Sequence, residues 1–349
     1  MLKRLAIYLK GYEKYAVGSP LLVVLETGCE LVIPLLMAQI INKGIYGNSM
    51  TVIWQSGALM VLVALLATVI GGWAARCAAY AAQGLGANLR QAEFEKITAF
   101  SFADIDRFSS SSLITRLTND LTNIQNVAIM CLRVLIRGVT MTVASVILTL
   151  SLSPKLALVV CVVLPFMTAA LGLLMKICFP LFEKMQKALD HLNEQVQENL
   201  IAVRVVKSYV RENREREKFI DANDGFTAAG LRAVLRMVAI QPVMMICFAV
   251  ATVLVLYNGG NMVLGGELEI GYLQTVIGYI MQILMSAMMI GMAVLQYTRA
   301  QASIRRVFEV LDADSAITDG GESAPPAPQG RVEFRDVSFR YQTEGAGED

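Results

Sequence analysis

Glu26 and Glu30 stand four residues apart in one long apolar run, and Arg133 and Arg137 stand four apart in another. On a helix that spacing puts both members of each pair on one face. Arg76 lies near the end of a third run. Ionisable groups in such surroundings are costly, so they are expected to face water or one another, not hydrocarbon. The chemistry they suggest is binding and pairing. Bond-making finds no support, because no His/Asp/Glu cluster has catalytic spacing, and the lone His191 falls in a polar stretch and reads as solvated. Counted inward at ~1.5 Å per residue, Glu26 and Arg137 both lie roughly 9 Å deep. We therefore expect Glu26, Glu30, Arg76, Arg133 and Arg137 to border an aqueous cavity, with Glu26 paired to Arg137. An ion pair that only fixes helix packing is the alternative. Met281, Met285, Met288, Met289 and Met292 recur along a last apolar run. Helix packing is the preferred reading for them, and an adaptable apolar wall for varied small molecules the alternative.

Composition indicates what must hold these residues. The chain has 349 residues, 55% hydrophobic and 17% charged, the profile of a polytopic membrane protein. With 30 Lys and Arg against 29 Asp and Glu, no global field exists to attract nucleic acid. The six cysteines lie in or beside apolar segments without C-x-x-C spacing and read as free thiols. Six runs are long enough to cross a ~30 Å hydrocarbon layer: 20–41, 52–82, 131–152, 156–179, one within 238–263 and one within 270–295. Residues 1–15 are basic, with Leu2, Leu5, Leu9 and Tyr12 on one side, and read as an amphipathic interfacial helix whose Lys3, Lys10 and Lys14 reach lipid headgroups. Of all the Lys and Arg, only Lys43 and Lys155 fall in the short loops after spans one, three and five. The positive-inside rule then puts both chain ends and both long polar excursions in the cytoplasm, with the protein multi-pass in the cell membrane.

The first excursion turns at SFADIDRFSSSSLITRLTND, Ser101 to Asp120. Asp104, Asp106 and Arg107 forbid burial in lipid, and Ser112 is the expected cap of a new helix. In that helix Leu113, Leu117 and Leu121 share a face, with Arg116 and Asp120 on others. The second excursion turns near Tyr209 to Asn213. Helical patterning and scarce glycine and proline argue for two extended helical hairpins, each reaching roughly 30 Å past the lipid, rather than solvated loops. Residues 312–330 contain Pro325, Pro326 and Pro328 and read as a linker. Beyond it, Val332, Phe334, Val337, Phe339 and Tyr341 alternate like short strands of a further domain over 331–349.

Taken together, SFADIDRFSSSSLITRLTND, LDHLNEQVQENLIAVRVVKSYVRENREREKF and ASIRRVFEVLD followed by GRVEFRDVSFRY resemble a half-transporter of the ATP-binding cassette exporter family, of the multidrug or lipid-A-exporter type. The resemblance covers nearly the whole chain. It implies an all-α fold of six transmembrane helices over 16–311 with long cytosolic extensions, followed by the first strands of an α/β nucleotide-binding domain. It also implies a homo- or heterodimer with a second half-transporter, nucleotide-binding domains as partners, and ATP with Mg2+ as cofactors of the full-length parent. The substrate would be an amphipathic drug or lipid moved by alternating access among membrane lipid, or else a peptide. Two coupling helices would bear on the nucleotide-binding domains, one at Phe102, Asp104 and Asp106, the other at Ser208, Tyr209, Arg211 and Glu212. Tyr341 would stack on adenine. The departure is that G-x-x-x-x-G-K-[ST] is missing, so these residues alone cannot hydrolyse ATP, and the parent is expected to continue beyond Asp349. A non-transporting membrane regulator remains the reading from another class.

Overall fold

The computed structural model describes residues 2–314 and 333–338. Helix dominates. After a short α1 (Leu2–Ile7), α2 (Glu13–Gln39) runs on through a π-helical turn (Ile40–Ile45) to a tight reversal and α3 (Met50–Thr98). The small α4 (Phe102–Phe108) reverses the chain. The return path is α5 (Ser110–Thr115), a π-helical turn (Arg116–Asp120), α6 (Leu121–Ile129), a second such turn (Met130–Leu135) and α7 (Ile136–Leu152). Then come α8 (Pro154–Ser208), α9 (Glu212–Val238), α10 (Ile240–Leu264) and α11 (Ile270–Leu311). Six helical stretches are long and apolar enough to cross a membrane, including Glu13–Ile45, Pro154–Ser208 and Ile270–Leu311. Their number and order are those read from the sequence.

Connections follow local chemistry. Ser153 accepts from the Leu156 amide while Pro154 opens α8, where a missing N–H costs nothing. Asn48 takes the reversal before α3 at φ 48°, a conformation Asn tolerates better than most residues. Among the described residues no strand occurs. Residues 333–338 are irregular, with Phe334 and Val337 exposed. The remaining residues of the expected strands, Tyr341 among them, lie outside the described residues, as does most of the expected linker.

Two compact units can be distinguished: residues 1–29, 64–140 and 289–349, and residues 30–63 and 141–288. Within the first, one core joins Leu5, Leu85, Leu89, Leu121, Ile124, Ile304, Val307 and Phe308. A second core joins Phe108, Leu113 and Val310, with Ile97 and Phe100 against it. The side of α1 expected to meet lipid is used here: Leu5 is buried, and Tyr8 and Leu9 pack on the first core. The Arg4 guanidinium lies 4.2 Å over the Phe308 ring and pairs with Asp312. The Asn88 amide donates to the Tyr8 carbonyl at 2.8 Å and the Lys10 carbonyl at 3.0 Å. Lys10 and Lys14 stay exposed.

The second unit is cored by Leu156, Val160, Met167, Met244, Ala251, Val255, Val276, Ile280 and Ile283. Tyr279, fully buried, donates its hydroxyl to the Leu31 carbonyl at 2.9 Å, which satisfies the one polar atom of a large apolar side chain. Thr275 donates to the Pro34 carbonyl at 2.9 Å, and the Asn42 side chain accepts from the Gly271 amide at 2.7 Å. These bonds fix the end of α2 against α11 within that unit.

Candidate functional site

The expected pair forms. Arg137 Nη1 lies 2.8 Å from Glu26 Oε1. Glu26 is 6% exposed, and the reason is on α3: at Gly71 a Cβ would stand 2.5 Å from Glu26 Oε1, so only glycine leaves room for the carboxylate. Glu26 Oε2 is buried with no hydrogen-bond partner. The pair is thus a close-packed contact of α2, α3 and the third membrane helix.

Arg76 is exposed and lies 5.6 Å from the ring centroids of both Trp73 and Tyr80, a cation–π arrangement along its own helix. Arg133 is half-buried in the same unit, and Glu30, half-buried, belongs to the other. Along α11 the methionines do not build the core of their own chain. Met281, Met285 and Met292 are exposed and Met289 is half-buried, while Ile280, Ile283 and Leu284 face inward.

The first excursion tip is a built object. Ser101 caps α4: its hydroxyl accepts from the Asp104 amide, and Asp104 Oδ2 accepts from the Ser101 amide at 2.9 Å and hydroxyl at 2.7 Å. This reciprocal pair is a capping box. Asp104 therefore turns inward, 8% exposed, while Phe102 projects outward at 88%. The side chain of Asp106 lies outside the described residues. The cap of the next helix is Ser109, not Ser112. Ser109 sits at φ 55° and its hydroxyl accepts from the Ser112 amide, so the four-serine run reverses the chain at its edge.

The second tip has a different construction. The expected short helix is absent: Ser208 ends α8, Glu212 begins α9, and Tyr209 to Arg211 make the turn, with Val210 at φ 50°. Ser208, Tyr209, Arg211 and Glu212 are all exposed, and Val210 is 80% exposed. Below the turn an open cleft of about 440 Å³ between α8 and α9 has a mixed lining, apolar at Val196, Leu200, Val203, Val206 and Phe219 and polar or charged elsewhere, Lys207, Glu212 and Arg216 among them.

Sequence reasoning missed a charged cluster just inside the first tip. Asp120, 1% exposed, is held bidentately by Arg306 of α11. Arg116, 7% exposed, donates to the Arg306 carbonyl at 2.8 Å and meets Glu309 at 3.2 Å. Burial pushes the Asp120 carboxyl up, but hydrogen bonds from Arg306 and Ser303 and the charges of Arg306 and Arg116 outweigh it and hold it below the usual range. Beside them Glu93 is fully buried, and neither of its carboxylate oxygens has a partner. A signal existed: Leu85, Leu89 and Glu93 recur at helical spacing, which puts Glu93 on the face that the leucines bury.

A family model, the ABC transporter transmembrane region, matches residues 17–288. The chain belongs to this family. Among curated relatives of this ABC transporter membrane region, an uncharacterised ABC transporter ATP-binding protein of Bacillus subtilis (strain 168), YfiB, is 33% identical over 96% of the chain and 58% of its own length. An uncharacterised ABC transporter ATP-binding protein of Mycobacterium tuberculosis (strain CDC 1551 / Oshkosh), MT1311, is 28% identical over 98% of the chain and 59% of its own. A protein of Mycobacterium bovis (strain ATCC BAA-935 / AF2122/97) named as a fatty acid ABC transporter ATP-binding/permease protein is 28% identical over 81% and 45% respectively. The chain thus spans about half to three-fifths of the length of these relatives.

Proposed function

We propose that this ABC transporter membrane region is the transmembrane half of an ATP-driven exporter, working as a homo- or heterodimer and moving amphipathic small molecules or lipids out of the cytoplasm by alternating access. The observation that carries the reading is the exposed apolar tip of each polar excursion, Phe102 on α4 and Tyr209 with Val210 after α8. Solvated turns gain nothing from such residues, whereas a soluble partner docked there would bury them. In this reading the partner is a nucleotide-binding domain, and both tips and both chain ends are cytoplasmic.

The described residues do not fit a nucleotide, since the chain lacks a phosphate-binding loop and Tyr341 is outside them. ATP and Mg2+ enter only as what the nucleotide-binding domain would hold. The chain itself would transmit movement from the two tips into its membrane helices. Preferential binding of nucleotide to one of two conformations then shifts their populations. Arg76, Arg133, Arg137 and Met292 are proposed to border the substrate path, with the Glu26–Arg137 contact fixing α2 against the third span. The fatty acid name of one relative favours a lipid-like cargo. The missing phosphate-binding loop permits the regulator reading, and transport by the full-length protein is what separates the two.

The full-length protein in proteoliposomes tests this. ATP-dependent uptake of an amphipathic dye or fatty acid, alone or with a second half-transporter, supports the proposal. ATP hydrolysis without movement of any such molecule, with or without a partner chain, counts against it.

A further inference from the structure

We propose that Glu93 is a proton-binding site, neutral in the present arrangement of the joint and ionised when that joint opens to water. Glu93 is 0% exposed and continues the Leu85 and Leu89 face of α3, in the polar extension roughly ten residues past the apolar run at ~1.5 Å each. Neither carboxyl oxygen has a hydrogen-bond partner, and burial of an unpartnered carboxylate is among the costliest arrangements a fold can hold. A neutral carboxylic acid costs far less.

The charged neighbours do not remove that cost. On its own helix Arg90 acts on Glu93, but Arg90 Nε is occupied by the Leu117 carbonyl at 3.2 Å. From the return segment come Arg116 and Asp120, of opposite sign. Arg116 spends its donors on the Ser112 hydroxyl, the Arg306 carbonyl and Glu309, and Asp120 opposes a second negative charge. From α11, Arg306 is committed to Asp120 and Glu309 to Arg116. Burial is the largest influence and pushes the Glu93 carboxyl up to about 7, with Arg116 and Arg90 lowering it and Asp120 raising it.

When α3, the return segment and α11 separate, water reaches Glu93 and its ordinary acidity returns. The carboxyl O–H bond then breaks heterolytically, the proton passes to water, and the carboxylate is left to hydration, Arg116 and Arg90. No electron transfer is involved. The closed joint binds more protons than the open one, so acid favours it and opening becomes easier as pH rises through about 7. Between pH 6 and pH 8 the opening equilibrium should rise by about tenfold, one power of ten per pH unit while only the closed joint is protonated. The Glu93→Gln variant keeps His191, the single histidine, so any slope that belongs to Glu93 is read as the difference between wild type and variant.

The test needs neither transport nor a known cargo, so its failure is separate from that of the exporter reading. Amide hydrogen exchange of the intact protein in lipid nanodiscs is followed across residues 85–124 at pH 6, 7 and 8, corrected for intrinsic exchange. The expected result is the tenfold rise in wild type and a flat profile in Glu93→Gln, with Glu93→Met as a second neutral variant if the first does not assemble. A wild-type profile that changes less than about twofold overturns the proposal, and so does a slope that survives in either variant.

Discussion

The two polar excursions look alike in sequence and are built on opposite plans. The first is closed: a capping box at Ser101 and Asp104, a stacked Phe100–Phe108 pair with centroids 5.6 Å apart, and a buried Asp120–Arg306 contact beneath it. The second is a bare turn, exposed at Ser208, Tyr209, Val210, Arg211 and Glu212, above an open cleft of mixed polar and apolar lining. The first tip thus carries its own rigidity. The second has its apolar residues Tyr209 and Val210 on the outside.

That contrast can be broken at its most expensive point. Arg306→Met leaves Asp120 buried without its partner and should cost about 3 kcal/mol, the low end for a broken buried pair because Arg306 is itself half-exposed. Denaturant unfolding in detergent measures this, and Arg306→Met with Asp120→Leu should recover part of it. The lowered Asp120 acidity adds a pH signature. The stability it contributes is present above its ordinary value near 3.8 and is lost as pH falls through the depressed one, so the wild type should lose this increment in acid and Asp120→Leu should not.

A second perturbation compares the joint with the membrane pair. Gly71→Ala puts a methyl against Glu26 and should cost about 1–3 kcal/mol through overpacking. Its effect should vanish in a Glu26→Ala background. If Glu26 and Arg137 work as a unit, losses of transport in Glu26→Gln and Arg137→Gln should not add in the double variant, and additive losses would remove the pairing from the mechanism.

Smaller effects sharpen the comparison of tips. Ser101→Ala should cost about 1 kcal/mol by removing the cap of α4. Tyr209→Ala should change unfolding by no more than about 0.5 kcal/mol, because the side chain is 74% exposed, while still reducing transport.

The six spans were legible in sequence because ~20-residue apolar runs have few alternative explanations. The Glu26–Arg137 pair was legible because charges within such runs must find each other or water. The polar joint was harder. Arg116 and Asp120 look like a solvated face until α11 supplies Arg306 and Glu309, nearly two hundred residues away. Local spacing carries no trace of a partner so remote. Ser109 took the cap expected of Ser112 because a positive φ at the start of the serine run reverses the chain earlier. Of the strands expected beyond the linker, residues 333–338 are irregular and the remainder lies outside the described residues.

The most direct test of the account is coupling at the two tips. In proteoliposomes of the full-length protein, Phe102→Ala with Tyr209→Ala should leave unfolding unchanged while ATP hydrolysis continues and substrate movement falls at least tenfold. Full transport in that double variant would contradict the assignment of these tips as the points where nucleotide-driven movement enters the membrane helices.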